Sequence, residues 1–350
     1  MTRYKLTPDN RLALLMHDTV GQSNGKMGYG LMRYGVAPVV VVIDRANAGK
    51  SLSELTGIPC DAPIVSSIAE ALAYKPDTLV PAIAPPGGAL PPEWWSDVQE
   101  GLKAGMSLLN GLHRPLEHDP ELAPLVQPER FIWDIRQEPT GLDNGMGEAR
   151  NLPCRRVLFV GTDMACGKMT AALEMHNEAL KSGLRSAFIA TGQIGIAIAG
   201  EGIPLDAVRI DFATGAVQGE VMRHGYDNDV LFVEGQGSLL HPASTATLAL
   251  MRGSIPTDMI LVHRAGQKHI ARSEQVIIPP LRDVIALNET VCAAGGALPP
   301  AKVKGIALNT AQLTAEEANR AVKETEDETG LPVSDVVREG AGRLLAILNI

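Results

Sequence analysis

The chain has 350 residues, more than a single compact core usually holds, and suits two domains. Hydrophobic residues make up 45% and charged ones 20%, ordinary for a soluble globular protein, and no apolar run approaches the roughly 18 residues of a membrane span. A formal charge of −9 with scattered cations argues against a nucleic-acid surface, so a small anionic ligand would need local positive pockets.

The amino terminus, MTRYKLTPDN, has no apolar signal core, so a cytoplasmic location is expected. Cys60, Cys154, Cys166 and Cys292 show no paired spacing for zinc. They are expected as free thiols in a reducing compartment, and no metal ligands are assigned.

In residues 1–117, predicted strands Leu12 to Met16, Pro38 to Ile43, Thr78 to Ile83 and Met106 to Leu109 alternate with predicted helices such as Ser66 to Tyr74 and Glu93 to Ala104. Such alternation predicts a doubly wound, Rossmann-like domain with ligand loops at the strand carboxyl ends. Four of those loops carry glycine or polar residues: His17 to Gly30, the turn at Asp44, Ala84 to Gly88, and Asn110 to His113. Asp44 holds the position of a ribose-binding acid, although the first loop lacks the glycine spacing of a dinucleotide fingerprint. His17 and His113 are candidate general bases or hydrogen-bonded loop histidines. In layout this part resembles the CoA-binding-like modules of acyl-CoA ligases. Residues 118–152 lose the alternation and are rich in proline, glycine and acids. They are expected as a connector, pinned where Trp133 docks.

Residues 153–350 open on an apolar strand, Arg155 to Val160, that runs through Gly161 into a turn and then a helix expected to continue to Lys181. Backbone N–H groups converge where a strand feeds a helix in this way, and Lys168 adds a full positive charge. The Walker spacing is stretched: five residues separate Gly161 from Gly167, and Met169 stands where a magnesium-binding hydroxyl is usual, with Thr170 following. The run resembles the P-loop of dethiobiotin synthetase and its nitrogenase-iron-protein-like relatives. A glycine turn serving only tight packing is the other reading. Cys166, inside the loop, is a candidate nucleophile or a small residue that lets the backbone turn.

Further predicted strands are Arg185 to Ala190, Val230 to Val233, Met259 to His263 and Lys304 to Leu308, implying a second doubly wound sheet. The third of the five delivers Glu234 beside Gly235 and Gly237, with Ser238 and His241 following. This resembles the Val-Glu-Gly-Ala-Gly-Gly run of dethiobiotin synthetase, departing at Gln236 and Ser238. Asn309 follows the last strand, where relatives read a nucleotide base and where asparagine is also a turn former. Gln193 lies in a polar glycine loop. Asp206 is expected in a cap or loop, and Asp211 either caps a helix beginning near Gly215 or acts chemically. His263 to Arg272 is the most basic stretch of this half, suited to carboxylates or phosphates or else a solvated basic loop.

Taken together, Gly-Thr-Asp…Gly-Lys-Met-Thr, Thr-Gly-Gln-Ile-Gly, Asp-Phe-Ala-Thr-Gly-Ala, Val-Glu-Gly-Gln-Gly-Ser-Leu-Leu-His-Pro, Ala-Pro-Pro-Gly-Gly and Gly-Leu-His resemble one family across nearly the whole length. It is the family, long of unknown function, that contains the D-glutamate N-acetyltransferases of bacterial D-amino-acid catabolism. The resemblance implies acetyl transfer from acetyl-CoA to the amine of D-glutamate, the product going on to an epimerase. It implies that Gly161, Thr162, Gly167, Lys168, Met169, Thr170 and Asn309 hold the carrier, with magnesium and ATP possible but not favoured. Glu234 and His241, then Asp163 and His263, are the candidates for accepting the proton; Arg264, Lys268, Lys26 and Gln193 are the candidate substrate contacts. An ATP-dependent ligase or carboxylase like dethiobiotin synthetase, or a nucleotide- or CoA-binding protein without turnover, are the alternatives. Homo-oligomerisation is expected, and neither nucleic-acid nor membrane partners are.

Overall fold

The computed structural model describes residues 4–83 and 88–350, without the side chain of Ser23. It divides into two compact units, Met1–Thr140 with Gly192–Ala207, and Gly141–Thr191 with Val208–Ile350. Elements are numbered in chain order through both. Most of the Ala84-to-Gly88 loop, namely Ala84, Pro85, Pro86 and Gly87, lies outside the described residues.

The first unit holds a parallel sheet of β1 (Leu12–Leu15), β2 (Val39–Ile43), β3 (Ile64–Val65), β4 (Thr78–Pro81), β5 (Ser107–Asn110) and β6 (Ile132–Asp134), in the order β3-β2-β1-β4-β5-β6. This is the strand order of a doubly wound dinucleotide-type fold, and it is Rossmann-like as the alternation predicted. Strand runs such as Val-Val-Val-Val-Ile in β2 are β-branched and continuously apolar because parallel sheets are covered on both faces. Its helices are α1 (Lys26–Tyr34), α2 (Leu52–Thr56), α3 (Ile68–Ala71), α4 (Trp95–Lys103) and α6 (Gln193–Ala199). Leu15, Ile43, Leu79, Leu108 and Trp94 anchor the core beside α4. Each fully buried side chain of this size contributes about 1.5–3 kcal/mol.

Two features of this unit differ from expectation. The segment read as a connector, 118–152, supplies β6, which pairs with β5 through Ile132 and Trp133. Asp134 secures it: its carboxylate accepts N–H groups of Leu116 and Glu117 and the side-chain amide of Asn110. The second is α6, which follows a strand of the other unit in sequence yet packs on α1. Val36 N–H donates to Ile198 O at 2.8 Å, Leu6 N–H donates to Gly200 O, and Gly30 leaves no room for a side chain against Ile198 and Ile194. Ile194 and Ile198, one turn apart, find their cover there. Asp206, read as a cap or loop residue, ion-pairs with Arg136.

The second unit holds β7 (Arg155–Gly161), α5 (Lys168–Lys181), β8 (Ser186–Ile189), α7 (Ile210–Gly225), β9 (Val230–Val233), α8 (Ala246–Ser254), β10 (Asp258–Arg264), β11 (His269–Ile270), β12 (Ser273–Ile277), α9 (Leu281–Ala293), β13 (Lys302–Asn309), α10 (Ala315–Thr329), β14 (Val333–Ser334) and α11 (Gly342–Ala346). Six strands form a parallel sheet in the order β14-β13-β10-β7-β9-β8, while β11 and β12 make a separate antiparallel hairpin. Phe159 and Phe232 meet in its core. The highly charged α10 is fixed at its start by Thr314 and Glu317, whose side chains and N–H groups satisfy each other reciprocally. Helix α7 begins at Ile210, so Asp211 lies inside its first turn rather than before a helix starting near Gly215. Among the described residues, no helix is long and apolar enough to cross a membrane.

Because the sheet is parallel, the carboxyl ends of β7, β8, β9, β10 and β13 share one edge. That edge carries the loop at Gly161, Thr191, Glu234, the hairpin and Asn309.

Candidate active site

The loop after β7 is held from several sides. Gly167 is the residue before α5 and takes φ of 117°, a conformation that favours glycine. Thr162 N–H donates to Val262 O, and Thr162 Oγ1 meets His263 Nδ1 at 3.0 Å. The Asn309 side-chain amide donates to Cys166 O at 3.0 Å, while its oxygen accepts Ala311 N–H. Both ends of the Asn309 side chain are thus engaged, the amide with the loop and the oxygen with the turn after β13. Arg264 donates to Ala165 O at 2.8 Å.

Lys168 opens α5 and is 3% exposed. Its ammonium donates to Asp163 O at 2.7 Å and Met164 O at 2.9 Å, with Cys166 Sγ 3.7 Å away. The Cys166 thiol is fully buried and donates to Asp163 O at 3.2 Å. Among the described residues, no acceptor meets the backbone N–H groups of Ala165, Cys166, Gly167, Lys168, Met169 and Thr170. A run of free donors with an ammonium beside it is the chemistry of a phosphate cradle. Met169 and Thr170 are half-buried in the first turn of α5.

The end of β9 presses on this loop. A Cβ at Gly235 would stand 1.7 Å from Phe159 O and 2.7 Å from Lys168 Cδ, so only glycine fits. Glu234, 3% exposed, accepts Thr191 N–H at 2.8 Å, and the Thr191 hydroxyl donates back to Glu234 O at 2.8 Å. These bonds tie the ends of β8 and β9 together. Farther along, Ser244 Oγ accepts Ser238 N–H, and His241 Nδ1 accepts Ala243 N–H at 3.1 Å. An Nδ1 used as an acceptor places the proton of the neutral imidazole on Nε2.

Asp163 is clamped. Its carboxylate accepts Met164 N–H at 2.6 Å, Ala271 N–H at 2.7 Å and the Gln267 amide at 2.6 Å. Burial acts to raise its pKa, but these bonds and the nearby His241 outweigh it, and the net shift is downward. A carboxylate so held is a weak proton acceptor. His263 is likewise a weak base, since burial pushes it down to about 4. Sequence reading did not single out Gln267, Ala271 or Thr191 for these roles, although all lie in stretches conspicuous for polar or basic residues.

The second unit therefore brings together Gly161, Thr162, Asp163, Gly167, Lys168, Met169, Thr170, Glu234, His241, Arg264 and Asn309. Lys268 is exposed on the connection from β10 to the hairpin. Lys26 and Gln193 belong to the first unit, where Lys26 is the exposed first residue of α1 and Gln193 the first of α6, beside Gly111. There too, Asp44 is fully buried and accepts Asp18 N–H, Ala46 N–H and the Asn47 amide. His17 accepts Arg45 N–H on Nδ1 and is buried, which lowers its pKa. These bonds tie the loops after β1 and β2 to each other. His113 is exposed, with Nδ1 3.5 Å from Arg136.

Comparison with known proteins agrees with this organisation. Residues 45–138 match the family model described as a domain of unknown function, DUF1611_N, Rossmann-like, and residues 143–345 match DUF1611_C, described as a P-loop domain. A crystal structure of a DUF1611 family protein from Anabaena variabilis ATCC 29413 superposes with a TM-score of 0.94 at 55% identity, covering 98% of this chain and all of that one. A protein named D-glutamate N-acetyltransferase from Tritonibacter scottomollicae is 37% identical over 285 residues, 81% of this chain and 84% of its own. One of the same name from a Pseudoalteromonas species is 32% identical over 284 residues, with the same coverage. The chain belongs to the DUF1611 family, the family of the D-glutamate N-acetyltransferases, and is an acyltransferase.

Proposed function

We propose that the protein moves the acetyl group of acetyl-CoA to the amine of D-glutamate, giving N-acetyl-D-glutamate and free CoA, a step in D-amino-acid catabolism. The observation that carries this reading is the likeness, over 81% of the chain, to two proteins named for that reaction. The geometry of the second unit supports it.

Acetyl-CoA brings phosphates and a thioester. The free N–H groups from Ala165 to Thr170 and the ammonium of Lys168 are the groups that would hold a phosphate. Met169, where nucleotide-cleaving loops carry a metal-binding hydroxyl, suits a carrier that is gripped and not hydrolysed. Arg264 and Lys268 are the cations offered to the substrate carboxylates.

In the reaction the thioester C–S bond breaks and an amide C–N bond forms. The amine must first lose a proton, and the thioester oxygen gathers negative charge. Glu234 is the proposed proton acceptor, because its position is fixed by Thr191 and the alternatives Asp163 and His263 are held in weakly basic states. His241 is the proposed donor to the developing oxyanion, since its neutral form carries the proton on Nε2. The departing sulfur takes up a proton to leave as CoA thiol.

The test is product identification by chiral chromatography and mass spectrometry after incubation with acetyl-CoA and each glutamate enantiomer. N-acetyl-D-glutamate is the expected product. Absence of any acetylated glutamate, in protein shown to be folded, overturns the reading.

A further inference from the structure

A cavity of about 400 Å³ opens in the second unit away from the P-loop. Arg150, Ile255 and Leu298 of its wall stand just upstream of β7, β10 and β13. The cavity therefore lies at the amino-terminal edge of the sheet, while the P-loop lies at the carboxyl-terminal edge. The seven residues of β7 separate the two by roughly 20 Å.

The wall is built by close backbone packing. A Cβ at Gly215 would stand 1.7 Å from Asp143 O, and one at Gly253 would stand 2.5 Å from Thr214 O. The segment 143–147 is thereby pressed against α7, and α8 against α7. Into this frame the chain places two guanidinium groups, Arg150 and Arg252, and one carboxylate, Asp211. Among the described residues, neither Arg252 nor Asp211 makes a hydrogen bond or ion pair, and Arg150 donates only to Gly147 O. Thr214 and Asn144 add neutral polar groups, and Ile255 and Leu298 an apolar floor.

Two unpaired cations and one unpaired anion complement two carboxylates and one ammonium. We infer that this cavity is a second ligand site, separate from the reacting centre, for a small acidic amino acid. The guanidinium groups take its carboxylates and Asp211 its ammonium. The charge pattern stands by itself; only the choice of glutamate as probe rests on the acetyl-transfer reading.

Calorimetric titration of the full-length protein with D-glutamate, without acetyl-CoA, tests it. The expected result is a binding event, additional to substrate binding at the reacting centre, that Arg252→Ala weakens at least tenfold, that Arg252→Glu abolishes, and that Lys168→Ala leaves unchanged. Asp211→Asn is expected to bring glutarate, which lacks the ammonium, close to the affinity of glutamate. Arg252 is exposed and unpaired, so thermal unfolding should be unmoved in its variants. Affinities equal in wild type and both Arg252 variants overturn the inference. Acetyl transfer is assayed separately. An inactive protein that still binds glutamate through Arg252 counts against the functional reading alone. An active one whose glutamate binding ignores Arg252 counts against the cavity alone.

Discussion

Lys168 donates its side-chain ammonium to the main-chain oxygen of Asp163, 2.7 Å away and earlier in the same loop. With the bond to Met164 O, this folds the loop around its own cation and keeps the charge beside the free N–H groups of α5. Removing it takes away a full positive charge from the cradle. Lys168→Ala is expected to raise KM for acetyl-CoA at least tenfold while changing kcat less, measured by steady-state kinetics at saturating D-glutamate. An unchanged KM would separate the loop from carrier binding.

Gly235, two residues past the end of β9, packs against the P-loop strand at Phe159. Gly235→Ala would drive a methyl into Phe159 O and the Lys168 side chain, and backbone cannot yield as a flexible side chain can. Overpacking of this kind costs about 1–3 kcal/mol or more. The expected outcome is a clear fall in the thermal midpoint together with a raised KM for acetyl-CoA. A variant with wild-type stability would mean that the two strands part easily.

Glu234 and His241 are expected to separate by chemistry. Glu234→Gln keeps the shape and loses the base, and kcat should fall by about 10²–10⁴. His241→Ala should lower kcat by about 10²–10³, the usual loss of one oxyanion donor. His241→Gln, which keeps an N–H donor, should recover part of the rate. Equal rates for the Ala and Gln variants would remove His241 from oxyanion binding.

Acid sensitivity follows from two histidines, the half-buried His176 and the buried His263. Burial lowers His176 and His263 from 6.5 to about 4. Between those pH values the unfolded chain binds protons that the folded one refuses, so stability rises with pH across the window. Each proton contributes about 1.4 kcal/mol per pH unit. The thermal midpoint is expected to fall as pH drops from 6.5 toward 4, and His176→Gln should flatten that fall. A slope unchanged by the substitution would show that His176 titrates normally.

Much of this was legible in the residues. The helix through Lys181 was readable because Gly167 and Lys168 open it and Ser182-Gly183 close it, and the strands because β-branched runs such as Val39–Ile43 leave little else. Strand β6 was hidden because three residues carry no periodicity, and its stability comes from Asp134 and from β5. The placement of α6 was hidden because its partners, Leu6, Gly30 and Val36, are distant in sequence. At the site, Glu234, Asp163 and Lys168 were visible as chemistry at strand ends. What holds Asp163 was not, since Gln267 and Ala271 arrive on a hairpin whose first strand spans two residues.

The P-loop is proposed to bind an acyl carrier without splitting a nucleotide. Simultaneous measurement of free thiol and free phosphate, with D-glutamate, acetyl-CoA and magnesium ATP all present, tests this most directly. The expected result is one thiol released per amide formed, no phosphate, and the same rate when ATP and magnesium are omitted. Phosphate release coupled to product, with no thiol, would contradict it and mark the protein as an ATP-dependent ligase.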